Sequence, residues 1–89
     1  MCGIFGITAI KDNSQTDFSL LKHDIDILTK KSELRGSDTF GVLIKDQLTN
    51  SIFKINENPS SALKRKDYKK FLNKKLKKEL DYVSIIGQT

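Results

Sequence analysis

Residues 2–10 constrain the fold most, because they are apolar at both alternating sets of positions. One set holds Cys2, Ile4, Thr8 and Ile10, and the other holds Phe5, Ile7 and Ala9. This pattern is typical of a β-strand that is covered on both faces. The chain has 89 residues, which is enough for one small domain at most. We therefore expect a layered domain built around this strand.

The rest of the chain alternates between helical and strand patterns. A helix capped by Thr16 or Asp17 is predicted to run to about residue 34, with Phe18, Leu21, Ile25 and Leu28 as its apolar stripe and Leu20 and Ile27 widening it. Two short strands, residues 40–45 and 51–56, are predicted to form a hairpin. A break at residues 56–61, a helix over 67–80 and a strand over 82–87 follow. The order strand, helix, hairpin, helix, strand predicts an α+β fold in a single domain.

Composition limits the classes of function. The chain has one cysteine and so no internal disulfide, as is typical of a reducing compartment. No apolar stretch approaches the length of a membrane span, and the N-terminus has no basic region ahead of an apolar run, so we expect no secretory signal. We therefore expect a cytoplasmic protein without a membrane partner. His23 is the only histidine, and we expect it to be exposed. Neither a zinc cluster nor a phosphate-binding loop is present, so we expect no metal and no cofactor.

Cys2 is the candidate nucleophile. A cysteine at this position can become the N-terminus when the initiator methionine is removed. Its thiol would then lie beside its own α-amine, whose ordinary pKa of about 7.7–8.0 suits it to accept the thiol proton. The glycines at positions 3 and 6 would let backbone or substrate approach. By position alone, however, a small buried cysteine in a strand is the more common interpretation.

Three sequence blocks resemble the class II glutamine amidotransferases, which are N-terminal nucleophile hydrolases. The run from Met1 to Ile7, MCGIFGI, is similar to the start of that family. The run from Arg35 to Gly41, RGSDTFG, is similar to its Arg-Gly-x-Asp-Ser-x-Gly segment. The final Gly87-Gln88-Thr89 is similar to the beginning of its Gly-His-Thr-Arg strand end, with Gln88 in place of the usual histidine. The blocks occur in the family's order.

The resemblance implies a fold, a reaction and a set of site residues. The fold would be part of an αββα sandwich with Cys2 at a strand end. The Cys2 thiol would attack the side-chain amide of glutamine and release ammonia through a thioester, for use by a synthase or transferase domain or subunit. Arg35 and Gly36 would line the site, Thr89 would lie at its mouth, and Asp38 would pair with Arg35 or with loop amides.

The resemblance also implies that further groups are needed for turnover. The family's carboxylate-binding arginine, its Asn-Gly oxyanion pair and an acidic residue lie beyond the position matched by Thr89. We therefore expect residues 1–89 to be the N-terminal portion of a glutaminase domain, with little activity alone. A truncated product with no catalytic role is a further interpretation.

The alternative interpretation is a non-catalytic basic domain. The net charge of +5 arises from a basic segment that begins at Lys64 and ends at Lys78. Such a segment could bind nucleic acid or an acidic partner without sequence specificity. A solvated helix face is the more common role of such lysines. Tyr68 and Phe71 fall on the apolar face of the predicted helix, which argues against base stacking.

Overall fold

The four strands of the described chain form one antiparallel sheet. The computed structural model describes residues 2–12, 16–77 and 80–89. Strands β1 (Ile4–Ile10), β2 (Phe40–Asp46), β3 (Asn50–Ile55) and β4 (Tyr82–Gln88) lie in the order β1-β4-β2-β3. Helices α1 (Leu21–Ser32), α2 (Pro59–Ala62) and α3 (Lys66–Lys75) pack on one side of it. The predicted α+β class and element order are confirmed.

Only one face of the sheet is covered. The less exposed residues of all four strands alternate onto the helical side, where Val42, Ile44, Val83 and Ile85 form the centre of the core. The opposite side, which we call the open face, carries Ile4, Ile10, Ile52 and Ile86, between 53% and 74% exposed. The prediction that β1 is covered on both faces is therefore wrong in this structure. β1 is an edge strand, and its even-numbered residues face away from the helices.

The pairing of β1 with β4 depends on a small residue. Phe5 lies directly opposite Gly87 in the register. A Cβ placed on Gly87 would come within 2.0 Å of the Phe5 ring. The ring therefore occupies the space that a side chain at position 87 would fill. This close approach holds the N-terminal strand beside β4, close to the chain's last residues.

Helix α1 follows a short 3-10 turn. Asp17 caps that turn by accepting a hydrogen bond from the Ser19 amide at 3.0 Å, as predicted. The helix ends at Ser32, two residues earlier than expected, and Gly36 does not adopt the left-handed conformation of a helix-stopping glycine. Leu20 and Ile27 are exposed, so the predicted wide stripe is wrong. Thr29 is buried on the core side instead.

The hairpin of β2 and β3 has the predicted position. Its turn contains no glycine. The Asp46 carboxylate supplies the missing constraint by accepting hydrogen bonds from the amides of Leu48 at 2.7 Å and Thr49 at 2.8 Å. These bonds fix the turn, so β3 returns along β2 without a residue in the left-handed region.

The second helical region is divided in two. Residues 56–61 were expected to be a break, but Pro59 begins α2 and the Asn58 side chain caps it through the Ser61 amide. Helix α3 starts at Lys66, one residue before the predicted start, and ends at Lys75, five residues before the predicted end. The predicted apolar residues Tyr68, Leu72, Leu76 and Leu80 are all buried. Residues 13–15 of the predicted turn, and Lys78 and Glu79, lie outside the described residues.

Candidate functional site

Cys2 lies just before β1, at the end of the sheet where β4 finishes. It is exposed and is not part of the buried core. The interpretation of Cys2 as a small buried cysteine is therefore not supported. An exposed thiol at a strand end is accessible to a small electrophile, as the nucleophile interpretation requires. Met1 lies outside the described residues.

Thr89 connects β1 to the end of α1. Its amide donates a hydrogen bond to the Gly3 carbonyl at 2.9 Å. Its side-chain hydroxyl donates to the Ser32 carbonyl at 2.8 Å. The residue is only 4% exposed, so it is fixed in place rather than frayed. Its hydroxyl has a structural partner, and the contact of Thr89 with substrate stays a prediction.

Gly3 is the residue that lets these three segments meet. A Cβ at position 3 would lie 2.5 Å from the Ser32 carbonyl oxygen and 2.6 Å from the Thr89 hydroxyl oxygen. No side chain fits at such distances without displacing the backbone. The predicted close approach at Gly3 is confirmed, whereas the nearest heavy atom to a Cβ on Gly6 would lie at an ordinary 3.6 Å.

A surface cavity of about 380 Å³ opens beside Cys2. The residues before and within β1 form one wall, and the last turns of α1 with the following residue Arg35 form the other. Leu28 contributes an apolar patch, and Lys31 and Arg35 contribute two cationic groups. The arrangement combines a thiol, a short apolar wall and two positive charges. It can therefore accept a small molecule that bears a carboxylate near its reacting carbon.

The Arg35 block is only partly brought into this cavity. Arg35 lines it, and the Arg35 amide donates to the Ser32 carbonyl at 2.9 Å, which orients the turn after α1. Gly36 shares that acceptor at 3.3 Å but is not among the lining residues. Asp38 makes neither an ion pair with Arg35 nor a hydrogen bond to a loop amide among the described residues. Gln88 is exposed beside Ile4 on the neighbouring strand.

Sequence reasoning missed two residues of this cavity. Neither Lys31 nor Ser32 was identified as a site residue from the sequence. The signal was available, because Leu28, Lys31, Ser32 and Arg35 follow the spacing of one helix face. Only the position of β1 shows that this face is the one beside Cys2.

The basic segment forms a solvated surface in its described part. Lys66, Lys70 and Lys74 are exposed along α3. Arg65 donates hydrogen bonds to Glu57 at 2.7 Å and to Asp67 at 2.9 Å, and its bond to Asp67 holds the pKa of that carboxyl below its usual value. Tyr68 and Phe71 pack against Phe53. No aromatic residue of α3 is therefore presented beside the lysines for base stacking.

The described residues contain neither a cluster suited to a metal ion nor a helix suited to a membrane. Residues 2–12, 16–77 and 80–89 contain no group of three or more histidine, cysteine, aspartate or glutamate side chains placed to hold a metal ion. His23 is exposed on α1, as expected. None of the helices within those ranges has the length and apolar character needed to cross a bilayer.

Comparison with known proteins leaves the resemblance as the sole indication of family. Neither the comparison with protein-family models nor that with curated proteins finds a significant match for this chain.

Proposed function

We propose that this chain is the N-terminal part of a glutaminase domain of the class II glutamine amidotransferase type, with Cys2 as its nucleophile. One observation carries the proposal. The three blocks that resemble the family are separated along the chain, yet Cys2, Arg35 and Thr89 come together around Gly3 and Ser32. Residues far apart in sequence that meet beside an exposed thiol are typical of a reaction site.

The proposed reaction uses the two functional groups of an N-terminal Cys2. After Met1 is removed, the free α-amine takes the thiol proton, and the sulfur attacks the side-chain amide carbon of glutamine. The carbon–nitrogen bond then breaks and ammonia leaves, so a thioester remains on the Sγ atom. Water adds to the thioester, glutamate departs, and the thiol is restored. A synthase or transferase domain or subunit would accept the ammonia.

The two cationic residues of the cavity supply an electrostatic contact for the substrate in this proposal, in addition to the carboxylate-binding arginine that the resemblance implies beyond the position of Thr89. Glutamine carries an α-carboxylate several bonds from the amide that reacts. Lys31 and Arg35 lie in the same cavity as Cys2, so they can bind that carboxylate while the amide faces the sulfur. Arginine suits this role because its planar guanidinium binds carboxylates in a bidentate manner.

The open face supports the proposal that the complete fold is an αββα sandwich. A sheet with helices on one side and exposed isoleucines on the other has the layer order expected of one half of a sandwich. We infer that a second sheet packs on this face to complete the αββα arrangement. Gly6, Ile86, Leu43 and Ile52 are neighbours across all four strands in the register, and they provide a continuous row for that contact.

Alkylation kinetics test the role of the cavity. Iodoacetate and iodoacetamide both transfer their carbon to a thiol with loss of iodide, but only iodoacetate is an anion. We expect the rate ratio of iodoacetate to iodoacetamide at Cys2 to be several-fold higher than in a cysteine peptide, and to fall with added salt. Lys31→Met and Arg35→Met should each lower the ratio. Lys30→Met removes the same charge outside the cavity and should change it little.

Intact mass spectrometry gives the readout and its control. The spectra should show that Met1 has been lost and that one alkyl group has been added. Cys2→Ala should remain unmodified. A ratio equal to that of the peptide, or an equal effect of Lys30→Met, would show that the cavity does not recognise carboxylates. Retention of Met1 on the purified protein would remove the base and contradict the proposed mechanism.

A further inference from the structure

A second cavity of about 290 Å³ lies between α1 and α3, and it shares no lining residue with the Cys2 cavity. Lys22 and Asp26, one turn apart on α1, form one wall. Lys69 and Asn73, one turn apart on α3, form the other wall, and the Lys22 ammonium donates a hydrogen bond to the Asn73 side-chain oxygen. Four polar side chains thus converge on one crevice from two helices.

The floor of this crevice holds an unsatisfied hydroxyl. Tyr68 lines the cavity and is 1% exposed. Its hydroxyl oxygen has no hydrogen-bond partner among the described residues. Burial, together with the nearby Asp26 carboxylate, raises the pKa of Tyr68 well above its usual value, so the group stays a donor at neutral pH. Buried polar groups are nearly always paired, so this hydroxyl in the wall of the crevice is a donor that a ligand acceptor would satisfy.

The charges around the crevice define the acceptor. Lys22 and Lys69 contribute two positive charges, and Asp26 contributes one negative charge when it is ionised. Burial raises the pKa of Asp26, whereas Lys30, His23 and Lys69 oppose that effect. The net charge of these three side chains is then +1, which suits a ligand with a single negative charge. A dianion such as phosphate would be held close to the Asp26 carboxylate, which is unfavourable.

The remaining surface of the crevice is apolar. Leu63, at the end of α2, and Leu72 of α3 line it beside the Tyr68 ring. A ligand that only carried charge would leave this surface in contact with water. A short hydrocarbon part would cover it and gain the free energy of apolar burial. The volume lies at the lower end of the range for small-molecule sites, which restricts the hydrocarbon part to a few carbons.

We propose that the crevice between α1 and α3 binds a small aliphatic monocarboxylate. The carboxylate lies between the ammonium groups of Lys22 and Lys69 and accepts a hydrogen bond from the Tyr68 hydroxyl. The hydrocarbon chain packs on Leu63 and Leu72. This site is independent of Cys2, so the result of its test does not bear on the glutaminase proposal.

Titrations followed by amide chemical shifts in ¹⁵N-labelled protein test the site. The probes are sodium acetate, butyrate and hexanoate, with sodium phosphate and butylammonium chloride as comparisons. We expect saturable shifts at Lys22, Asp26, Leu72 and Asn73, and affinity that increases about three- to fourfold per added methylene. Lys69→Met should weaken hexanoate binding by about tenfold or more. Tyr68→Phe should weaken it several-fold without unfolding the protein.

Lys74→Met is the matched control, because Lys74 lies on the same helix and carries the same charge outside the crevice. It should leave hexanoate binding unchanged. The proposal is overturned by any of four results: no saturable shift with hexanoate up to tens of millimolar, equal losses in Lys69→Met and Lys74→Met, binding of butylammonium as tight as that of butyrate, or tighter binding of phosphate than of hexanoate.

Discussion

At the scale of single residues, Tyr68 has the most unusual environment. Its ring packs edge-on against Phe40, with centroids 5.1 Å apart, and tilted against Phe53 at 5.2 Å. These contacts fix the ring in the core, and its hydroxyl is buried without a partner among the described residues. The ring therefore stabilises the fold, whereas the hydroxyl costs free energy in the absence of a ligand.

Tyr68→Phe should consequently leave stability at pH 7 unchanged or slightly higher, and should make the protein more resistant to alkali. The folded-state pKa of Tyr68 lies above the ordinary value of 10.0. As pH rises through 10 the unfolded chain loses this proton first, so unfolding becomes more favourable by up to about 1.4 kcal/mol per pH unit. Urea unfolding at pH 8 and pH 11 measures the effect, with Tyr82→Phe as the control. An equal alkaline loss in the wild type and Tyr68→Phe would show that the hydroxyl is not buried.

At the scale of elements, the pairing of β1 with β4 determines where Cys2 lies. Phe5 and Gly87 face each other in the register, and the Phe5 ring occupies the space above the glycine. The Thr89 contacts with Gly3 and Ser32 continue the same connection beyond the strand. A change that separates these strands would therefore displace Cys2 from its cavity.

Gly87→Ala tests this connection. The added methyl would lie 2.0 Å from the Phe5 ring and force it out of place, so we expect a loss of about 1–3 kcal/mol in the free energy of unfolding. Gly41→Ala is the matched control, because its methyl would have no neighbour closer than 3.6 Å. Urea unfolding midpoints give the comparison. Equal effects of the two substitutions would contradict the proposed packing of Phe5 on Gly87.

The elements also show what the sequence could predict. Strand and helix types followed from periodicity, and the Asp17 cap from residue chemistry. The start of α2 was missed although Asn58 and Pro59 are a typical helix start. The end of α3 was misplaced because tertiary contacts decide it. The Asp81 amide donates to the Gln47 side chain, and Asp46 pairs with Val83, so the chain must leave the helix early to enter β4.

The resemblance predicted that Cys2 and Arg35 share one cavity, but it did not predict the other residues that line it. Cys2 and Arg35 were identified from local motifs, and both line the cavity. Lys31 was missed because its contribution depends on which face of α1 lies beside β1. The exposed face of β1 was also missed, since an apolar strand pattern does not say whether both of its faces are covered within the same 89 residues.

At the scale of the whole molecule, the two sides of the sheet differ in character. One side carries the helices and the core. The other side is the open face, on which Ile52 and Ile86 are exposed. Ile85, the residue before Ile86, lies on the helical side and is buried. Contiguous exposed apolar surface of this kind is typical of an interaction site rather than of free solvent-facing protein.

The double variant Ile52→Thr/Ile86→Thr should reduce binding of a hydrophobic dye and concentration-dependent association, with little change in unfolding free energy. Ile85→Thr adds the same polar group on the buried side and should cost roughly 2–4 kcal/mol. Dye fluorescence, sedimentation velocity and urea unfolding together separate the two sides. A double variant as unstable as Ile85→Thr would show that the open face is already packed.

The most direct test of the central claim uses a diazoketone analogue of L-glutamine. The Cys2 sulfur displaces nitrogen from this reagent, and a stable thioether forms that intact mass spectrometry detects. If Cys2, Lys31 and Arg35 form a glutamine site, the L-enantiomer should label Cys2 several-fold faster than the D-enantiomer, Arg35→Met should remove the difference, and Cys2→Ala should not react. Equal rates for the two enantiomers, no faster than for a cysteine peptide, would contradict the glutaminase proposal.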